Sequence, residues 1–434
     1  MRINLKNIST REEFAKAFDI PLKILTLVLY VLNPNNLYQT FKIPKKNGGE
    51  REINAPVGYL KEIQRKIAKK LYLYYYNENN KKCNIAHAFI KGKSFITNAE
   101  IHRNKKWVLN LDLQDFYLSI NYGRVRGFFI KNDLFLYSEE AATIMAQLTC
   151  CKGSLPQGAS TSPIIANFIA NILDFRLLKL AKKYKCDYTR YADDLTFSSN
   201  YKGFFEQKER MLQELREVVE KSGFIINDKK TNIQNKESRQ IVTGVIVNKK
   251  INVETKYYKN NRAILEHLYT GKKVFIDGED GSLSQIEGRF SFVDQVVKFN
   301  NRNDKTNNKH CFNILAGRER QYQKFLVYKY FLNNNKPLIV TEGKTDITYI
   351  KAALMNLADN FPDLITKNGN SKFIFKIKFL RRTKRLNYFL NISQDGASAL
   401  KSIYQFYVGE NNHKNYNEKI LQILQIAISC NIVI

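Results

Sequence analysis

At 434 residues the chain is too long for one small core, and its 44% hydrophobic content can bury a sizeable interior, which excludes a disordered protein and points to two or three domains. With 70 Lys and Arg against 40 Asp and Glu, the formal net charge of +30 calls for a polyanionic partner, nucleic acid before a membrane surface. The longest apolar runs, residues 24–32 and 420–434, fall short of the ~20 residues a spanning helix needs. Met1 to Asn7 has no apolar signal core, so a cytoplasmic chain without a membrane partner is expected.

In chain order, Thr10 and Glu13 have capping-box spacing and predict a helix start before Phe14. Residues Phe41 to Ile53 read as two strands joined by a basic, glycine-containing turn that carries Lys45, Lys46 and, just beyond it, Arg51. Leu60, Ile63, Ile67, Leu71 and Tyr74 recur at helical spacing among Lys61, Lys66, Lys69 and Lys70, predicting an amphipathic helix with a basic outer face. Val108 to Asp112 is an apolar strand ending in a carboxylate, and Tyr117 beyond it reads, on its own, as core. Leu155 to Pro163 is a Pro-Gly-Ser turn containing Gln157 and Gly158, ahead of an apolar helical run from Ile164 to Leu173.

Asp187 to Tyr191 and Leu195 to Ser199 alternate with a period near two around Asp193-Asp194, which predicts a β-hairpin. Aspartates are common in solvated turns, but a second carboxylate at Asp112 sits ready to face this one. Mg²⁺ needs few carboxylates when substrate phosphates complete its shell. Two such ions about 4 Å apart can clamp an in-line phosphoryl displacement. Asp112 and Asp193 are the expected bridging ligands and Asp194 the more peripheral one.

Gly223 to Thr231 has the form of a helix C-terminus capped by Gly223 and followed by a basic loop. From Tyr257 to about Phe331, Tyr257, Tyr258, Phe290, Phe292 and Phe299 interleave with Lys259, Arg262, Arg289, Lys298 and Arg302, a pattern that can stack on unpaired bases and hold phosphates. Lys298 to His310, rich in Asn and Lys, reads as a flexible loop. The six cysteines show no C-x-x-C spacing and are expected to be reduced and mostly buried.

A strand ending in Asp112 followed by a Tyr191-Ala192-Asp193-Asp194 hairpin resembles motifs A and C of reverse transcriptases, and Leu155 to Pro163 with its helix is similar to their motif B. The resemblance implies an α+β right-hand polymerase of fingers, palm and thumb, with two Mg²⁺ ions held by the catalytic carboxylates Asp112, Asp193 and Asp194. It makes Phe41 to Ile53 the fingers hairpin that meets the incoming dNTP, with Lys45 or Lys46 as a point charge and Arg51 as a fork. Gln157 joins those nucleotide contacts, and Tyr117 becomes the aromatic that floors the sugar pocket and excludes a 2'-hydroxyl. Gly223 to Thr231 looks like motif D, with Lys229 or Lys230 as proton donor to pyrophosphate.

Two further strings narrow the family. Asn98-Ala99-Glu100-Ile101-His102 matches the Asn-Ala-x-x-His signature of retron reverse transcriptases, and Val242-Thr243-Gly244 matches their Val-Thr-Gly signature; both are assigned to RNA recognition. A lone histidine in the position of His102 is more often packed and hydrogen-bonded than functional. The retron resemblance implies reverse transcription of a cognate structured noncoding RNA, primed from an internal guanosine 2'-hydroxyl. The product is a branched RNA–DNA hybrid (msDNA) used in bacterial antiphage defence. The alternatives are a group II intron-like reverse transcriptase, or a nucleic-acid scaffold, oligomeric or not, that restrains a separate effector protein.

Lys336 to Asp346 is a buried strand ending in Glu-Gly-Lys-Thr-Asp and leading into a helix, which resembles the first motif of Toprim domains, with Glu342 as acid or base beside a metal and Asp346 close by. No Asp-x-Asp follows Glu342, so this part is expected to be a truncated, partial α/β Toprim-like domain without nuclease activity. The organisation expected is 1–110 N-terminal helices and fingers, 111–250 palm with parts of the fingers interleaved, 251–332 RNA-binding thumb and 333–434 Toprim-like segment.

Overall fold

The computed structural model describes residues 4–45, 48–78, 85–303, 315–333, 335–368, 372–390, 392, 397–408 and 432–433; Lys46 lies outside them. The chain divides into two compact units, Met1–Ile251 and Asn252–Ile434. No helix among the described residues is long and apolar enough to cross a membrane.

In the first unit, the Thr10 hydroxyl accepts the Glu13 amide at 3.2 Å and starts α1 (Arg11–Ala17) where the capping spacing puts it. Strands β1 (Tyr38–Pro44) and β2 (Glu50–Pro56) pair antiparallel from Tyr38↔Pro56 to Pro44↔Glu50, and beyond the last pair Lys45 N donates to Gly49 O at 2.9 Å. Helix α2 (Gly58–Glu78) follows, and the five apolar positions picked out by helical spacing, Leu60, Ile63, Ile67, Leu71 and Tyr74, are all buried. Truncating one of them to Ala removes about 2–5 kcal/mol of transfer and packing energy.

Helix α3 (Phe95–Ile101) leads into β3 (Trp107–Asp112), followed by α4 (Tyr122–Lys131), α5 (Glu139–Thr149) and α6 (Ser162–Lys183). Pro163 occupies the first turn of α6, where its missing N–H costs nothing, and Lys182 and Lys183 lie in the last turn, opposite the negative end of the dipole. Then come β4 (Asp187–Tyr191), β5 (Asp194–Ser199), α7 (Lys208–Glu220) and β6 (Asn232–Asn235). The four strands form one antiparallel sheet in the order β4-β5-β3-β6, and a single core running from Leu5 to Ile226 packs helices and sheet together. A two-residue ladder, β7 (Ile241–Val242) with β8 (Val245–Ile246), precedes the end of the unit.

The second unit contains α8 (Thr255–Tyr269), α9 (Leu283–Asn303), α10 (Gly317–Val327), β9 (Leu338–Ile339), α11 (Lys344–Asn356), β10 (Ile365–Asn368), β11 (Lys372–Phe375), β12 (Lys378–Phe379), α12 (Lys384–Phe389), α13 (Ala397–Val408) and β13 (Ile432–Val433). β12 and β13 flank β9 in parallel. One core joins Leu265, Phe290, Tyr322 and Phe325 to Leu338, Val340, Leu386, Phe389 and Ile403, so the division expected near residue 332 falls inside continuous packing. Buried Asp294 crosses the same line, with Lys298 Nζ at 3.1 Å and Arg385 Nε at 3.3 Å.

Two expectations for this unit are corrected. Phe290 is 1% exposed and belongs to the core, so it has no face to offer a base. Lys298 to Asn303 continue α9 instead of opening a loop, extending a helix anchored just before them by buried Val293 and Val296; 304–310 lie outside the described residues.

Candidate active site

Three carboxylates converge where β3 and β5 meet. Asp112 closes β3, and in the β3–β5 register its partner is Asp194, the first residue of β5. Tyr191 pairs with Asp194 across the hairpin, so Ala192 and Asp193 make a two-residue turn. Ala192 takes φ +57°, the left-handed region where a Cβ is unfavourable and hairpin turns usually place glycine or asparagine. The turn is tied to its neighbours: Leu113 N donates to Asp193 O at 3.0 Å, and Asn227 N to Asp112 O at 2.8 Å.

The negative charge concentrated here is incompletely offset. Lys230, on a single 3₁₀ turn (Asp228–Lys230), places Nζ 2.9 Å from Asp112 Oδ1, and this bond raises the lysine pKa. Asn227 Nδ2 donates to Asp112 Oδ2 at 3.4 Å. The Asp194 side chain still reaches solvent, but loss of water on the protein side, then repulsion from Asp193 and Asp112, push its carboxyl up to about 7. Asp193 is also raised, chiefly by burial and then by Asp112, with Lys230 and Arg51 pulling the other way. Burial and the nearby Asp193 push the Tyr117 phenol up as well, which puts the half-buried ring beside the carboxylates.

Three mutually repelling carboxylates are a hard-oxygen donor set of the kind Mg²⁺ prefers. Among the described residues no three Asp, Glu, His or Cys side chains are drawn together tightly enough to hold a metal by themselves. An ion at this centre would need substrate phosphates and water to complete its shell, and Asp112 is meanwhile engaged by Lys230.

The other expected nucleotide contacts are spread around this centre. Arg51 lies on β2, exposed and within electrostatic reach of Asp193, and Lys45 is exposed at the start of the hairpin turn. Gln157 O accepts the Asn54 amide at 2.8 Å, which fastens the Gln157-Gly158 loop to β2. Gly158 has φ +115°, and a Cβ there would stand 2.8 Å from Ile53 Cγ2 and 2.9 Å from Asn54 O, so glycine is needed for fit and for conformation. Lys229 is exposed, while its neighbour Lys230 meets Asp112.

Residues 43–251, which hold all of these groups, match the family model of reverse transcriptases, RNA-dependent DNA polymerases. Over these residues the chain is similar to reverse transcriptases. Retron Mx162 reverse transcriptase of Myxococcus xanthus is 33% identical over 322 residues, 67% of this chain and 64% of that protein. Retron Ec86 reverse transcriptase of Escherichia coli is 27% identical over 325 residues, 74% of this chain and 93% of that protein. Retron Mx65 reverse transcriptase of Myxococcus xanthus is 34% identical over 274 residues, covering 59% and 60%. The match thus spans less than two thirds of the two Myxococcus proteins.

Within the matched region the two retron-like strings meet. Val242 and Val245 pair across Thr243-Gly244, whose φ values of +46° and +82° give the turn two left-handed residues. Thr243 Oγ1 donates to Phe95 O at 2.9 Å, at the start of the α3 helix that carries Asn98 and Ala99. The expected RNA contact through Asn98, Ala99 and His102 is corrected: all three are 0% exposed and have no surface for RNA. Instead, His102 bridges the two strands of the β4–β5 hairpin, Nδ1 2.7 Å from Ser198 Oγ on β5 and Nε2 2.7 Å from Thr189 Oγ1 on β4. Burial, then Lys105 and His87, lower its pKa to about 3, so the ring is neutral, and two rotatable hydroxyls suit either tautomer. Val242 is buried and Gly244 exposed.

Sequence reasoning missed Arg190 and Asp174, a buried pair beneath the turn. The available signal was an arginine inside a strand, three residues before Asp193.

In the second unit, Glu342 is exposed after β9, and Asp346 Oδ2 accepts the Gly343 amide at 2.8 Å as an N-terminal cap of α11. Asp346 is thereby occupied by the helix, and among the described residues no cluster of three or more metal-ligating side chains includes Glu342.

Proposed function

We propose that this protein is a retron-type RNA-directed DNA polymerase. It copies a cognate structured noncoding RNA, starts from an internal guanosine 2'-hydroxyl and yields branched msDNA for antiphage defence. The observation that carries the reading is the facing of Asp112 and Asp194 across β3 and β5 with Asp193 in the adjoining turn, inside a region whose relatives are retron reverse transcriptases.

In this reading Asp112, Asp193 and Asp194 hold two Mg²⁺ ions. When bound, these ions activate the attacking hydroxyl and stabilise charge on the leaving pyrophosphate. Arg51 and Lys45 neutralise the triphosphate, Gln157 presents the loop that meets the nucleotide, and Tyr117 underlies the sugar. Lys230, freed from Asp112 as the site fills, is better placed than Lys229 to protonate the leaving pyrophosphate. The hydroxyl attacks the α-phosphate, a phosphodiester forms, and the bond to pyrophosphate breaks. Electrostatic preorganisation supplies most of the rate. Residues 333–434 are a partial Toprim-like segment without an independent nuclease site, a reading supported by the strand–helix unit at β9 and α11, by Asp346 capping α11 and by the lack of an Asp-x-Asp after Glu342. The protein acts in the bacterial cytoplasm, with its RNA, msDNA and dNTPs as partners.

The test is to purify the chain from its own host and sequence the nucleic acid bound to it. A single RNA joined to cDNA by a 2'-5' branch is expected. Efficient extension of ordinary 3'-primed templates with no bound RNA and no branch sinks the retron reading in favour of an intron-like enzyme.

A further inference from the structure

Beneath the catalytic turn lies an ion pair to which the reaction above assigns no role. The Arg190 and Asp174 side chains are 0% and 1% exposed. The guanidinium grips the carboxylate with two bonds, Nε to Oδ1 and Nη2 to Oδ2, each 2.8 Å. Its remaining nitrogen, Nη1, donates to Asn167 Oδ1 at 3.1 Å and to Ala192 O at 3.2 Å. Asn167 is itself fixed by its Nδ2, which donates to Ala88 O at 3.0 Å, and Tyr188 OH donates to Asp174 Oδ1 at 2.9 Å. The Arg190 backbone is pinned too, its N–H donating to Ile85 O at 3.0 Å and its carbonyl accepting from His87 N at 2.8 Å.

Stability alone is a weak reason to bury such a pair, since removing two charges from water costs about as much as their attraction returns. What this arrangement adds is direction. Asp174 and Asn167 stand on α6, the helix that follows the Gln157-Gly158 loop, and Ala192 stands in the turn between β4 and β5. Ala192 adopts a left-handed conformation that a residue with a Cβ does not favour by itself. Its carbonyl belongs to the peptide that carries the Asp193 nitrogen. A hydrogen bond from a clamped guanidinium to that carbonyl fixes the plane from which the Asp193 side chain departs.

We infer that Arg190 is a positioning residue: clamped by Asp174 and Asn167, it holds the Ala192 carbonyl and so aims Asp193 and Asp194 at the divalent ions. The inference rests on the reading of Asp112, Asp193 and Asp194 as metal ligands. It makes the motif B helix a structural support of the motif C turn.

Arg190→Lys in the full chain tests it, because lysine keeps a cation for Asp174 but lacks the third nitrogen that reaches Ala192. Expected are cooperative thermal unfolding, Mn²⁺ affinity in the presence of dTTP reduced about tenfold by electron paramagnetic resonance, and a matching rise in the Mg²⁺ concentration for half-maximal extension. Should Arg190→Lys not fold, Arg190→Met combined with Asp174→Leu replaces the pair by apolar groups, an exchange buried ion pairs commonly tolerate, and the same shifts are expected. A folded variant of either kind with wild-type Mn²⁺ affinity and Mg²⁺ requirement overturns the inference. Asp193→Asn, run alongside, separates the two readings. If it keeps Mn²⁺ affinity, the metal-ligand assignment fails; if it loses affinity while folded Arg190→Lys does not, only the positioning role fails.

Discussion

Lys230 places its ammonium 2.9 Å from the Asp112 carboxylate, closing β3 with an ion pair at the point where a divalent cation is expected. Lys230→Gln should leave three carboxylates with less positive charge nearby. Because the lysine side chain is 57% exposed, the loss in metal-free stability should stay below about 1 kcal/mol. Added Mg²⁺ should restore it, and the extension rate should fall. Lys229→Gln should change neither. Thermal unfolding in EDTA and in Mg²⁺, with single-turnover extension, checks both; equal behaviour of the two variants defeats the choice of Lys230.

Asp193→Asn with Asp194→Asn should abolish DNA synthesis and leave RNA binding nearly intact, since each exchange keeps the side chain's size and removes no positive charge that could hold phosphate. Filter binding and primer extension on one preparation decide it. Synthesis at the wild-type rate would remove these residues from the site.

Gly158→Ala should cost about 2 kcal/mol through the forced contact with Ile53 and Asn54, in addition to the strain of φ +115°. The loop bearing Gln157 should shift off β2, so KM for dNTP should rise more than kcat falls. Urea unfolding and steady-state kinetics measure the two effects; a fully stable variant with unchanged KM contradicts the packing.

His102 gives the domain an acid-sensitive joint. Its pKa, about 3 in the folded chain against an ordinary value of 6.5, means that the unfolded chain takes up a proton the folded one does not. The stabilisation from neutral His102 is therefore complete above pH 6.5 and is lost as pH falls toward 3, amounting to about 2 kcal/mol at pH 5. Chemical denaturation of wild type and His102→Gln at pH 7.5 and pH 5 should show a steeper acid loss for wild type. Parallel pH profiles would rule out the buried neutral ring as the cause.

With Mg²⁺ or Mn²⁺, the purified chain should not nick supercoiled DNA through Glu342. A nicking activity abolished by Glu342→Gln would show that an acidic partner completes that site.

The elements legible in the sequence were those with a short-range signature. Leu60 to Tyr74 announce α2 by spacing, Thr10 announces the start of α1, and the alternation around Asp193-Asp194 announces the hairpin. Phe290 misled because an aromatic beside basic residues looks the same whether it faces a base or a core, and neighbours distant in sequence, Tyr322 and Phe325, made it core. Asn98, Ala99 and His102 misled for the same reason, since a motif string carries no record of burial.

The sequence by itself determined the chemistry: the carboxylates, the glycine loop, the basic hairpin and their order along the chain, all set by local residue type and spacing. Only the tertiary structure decided which lysine of an adjacent pair meets Asp112, that His102 spans β4 and β5, that Arg190 reaches Asp174 and Ala192, and that residues on both sides of 332 share one core. Each of these depends on bringing distant segments within hydrogen-bond or van der Waals range. One residue's difference in a 3₁₀ turn, or one strand's register, is enough to change the partner.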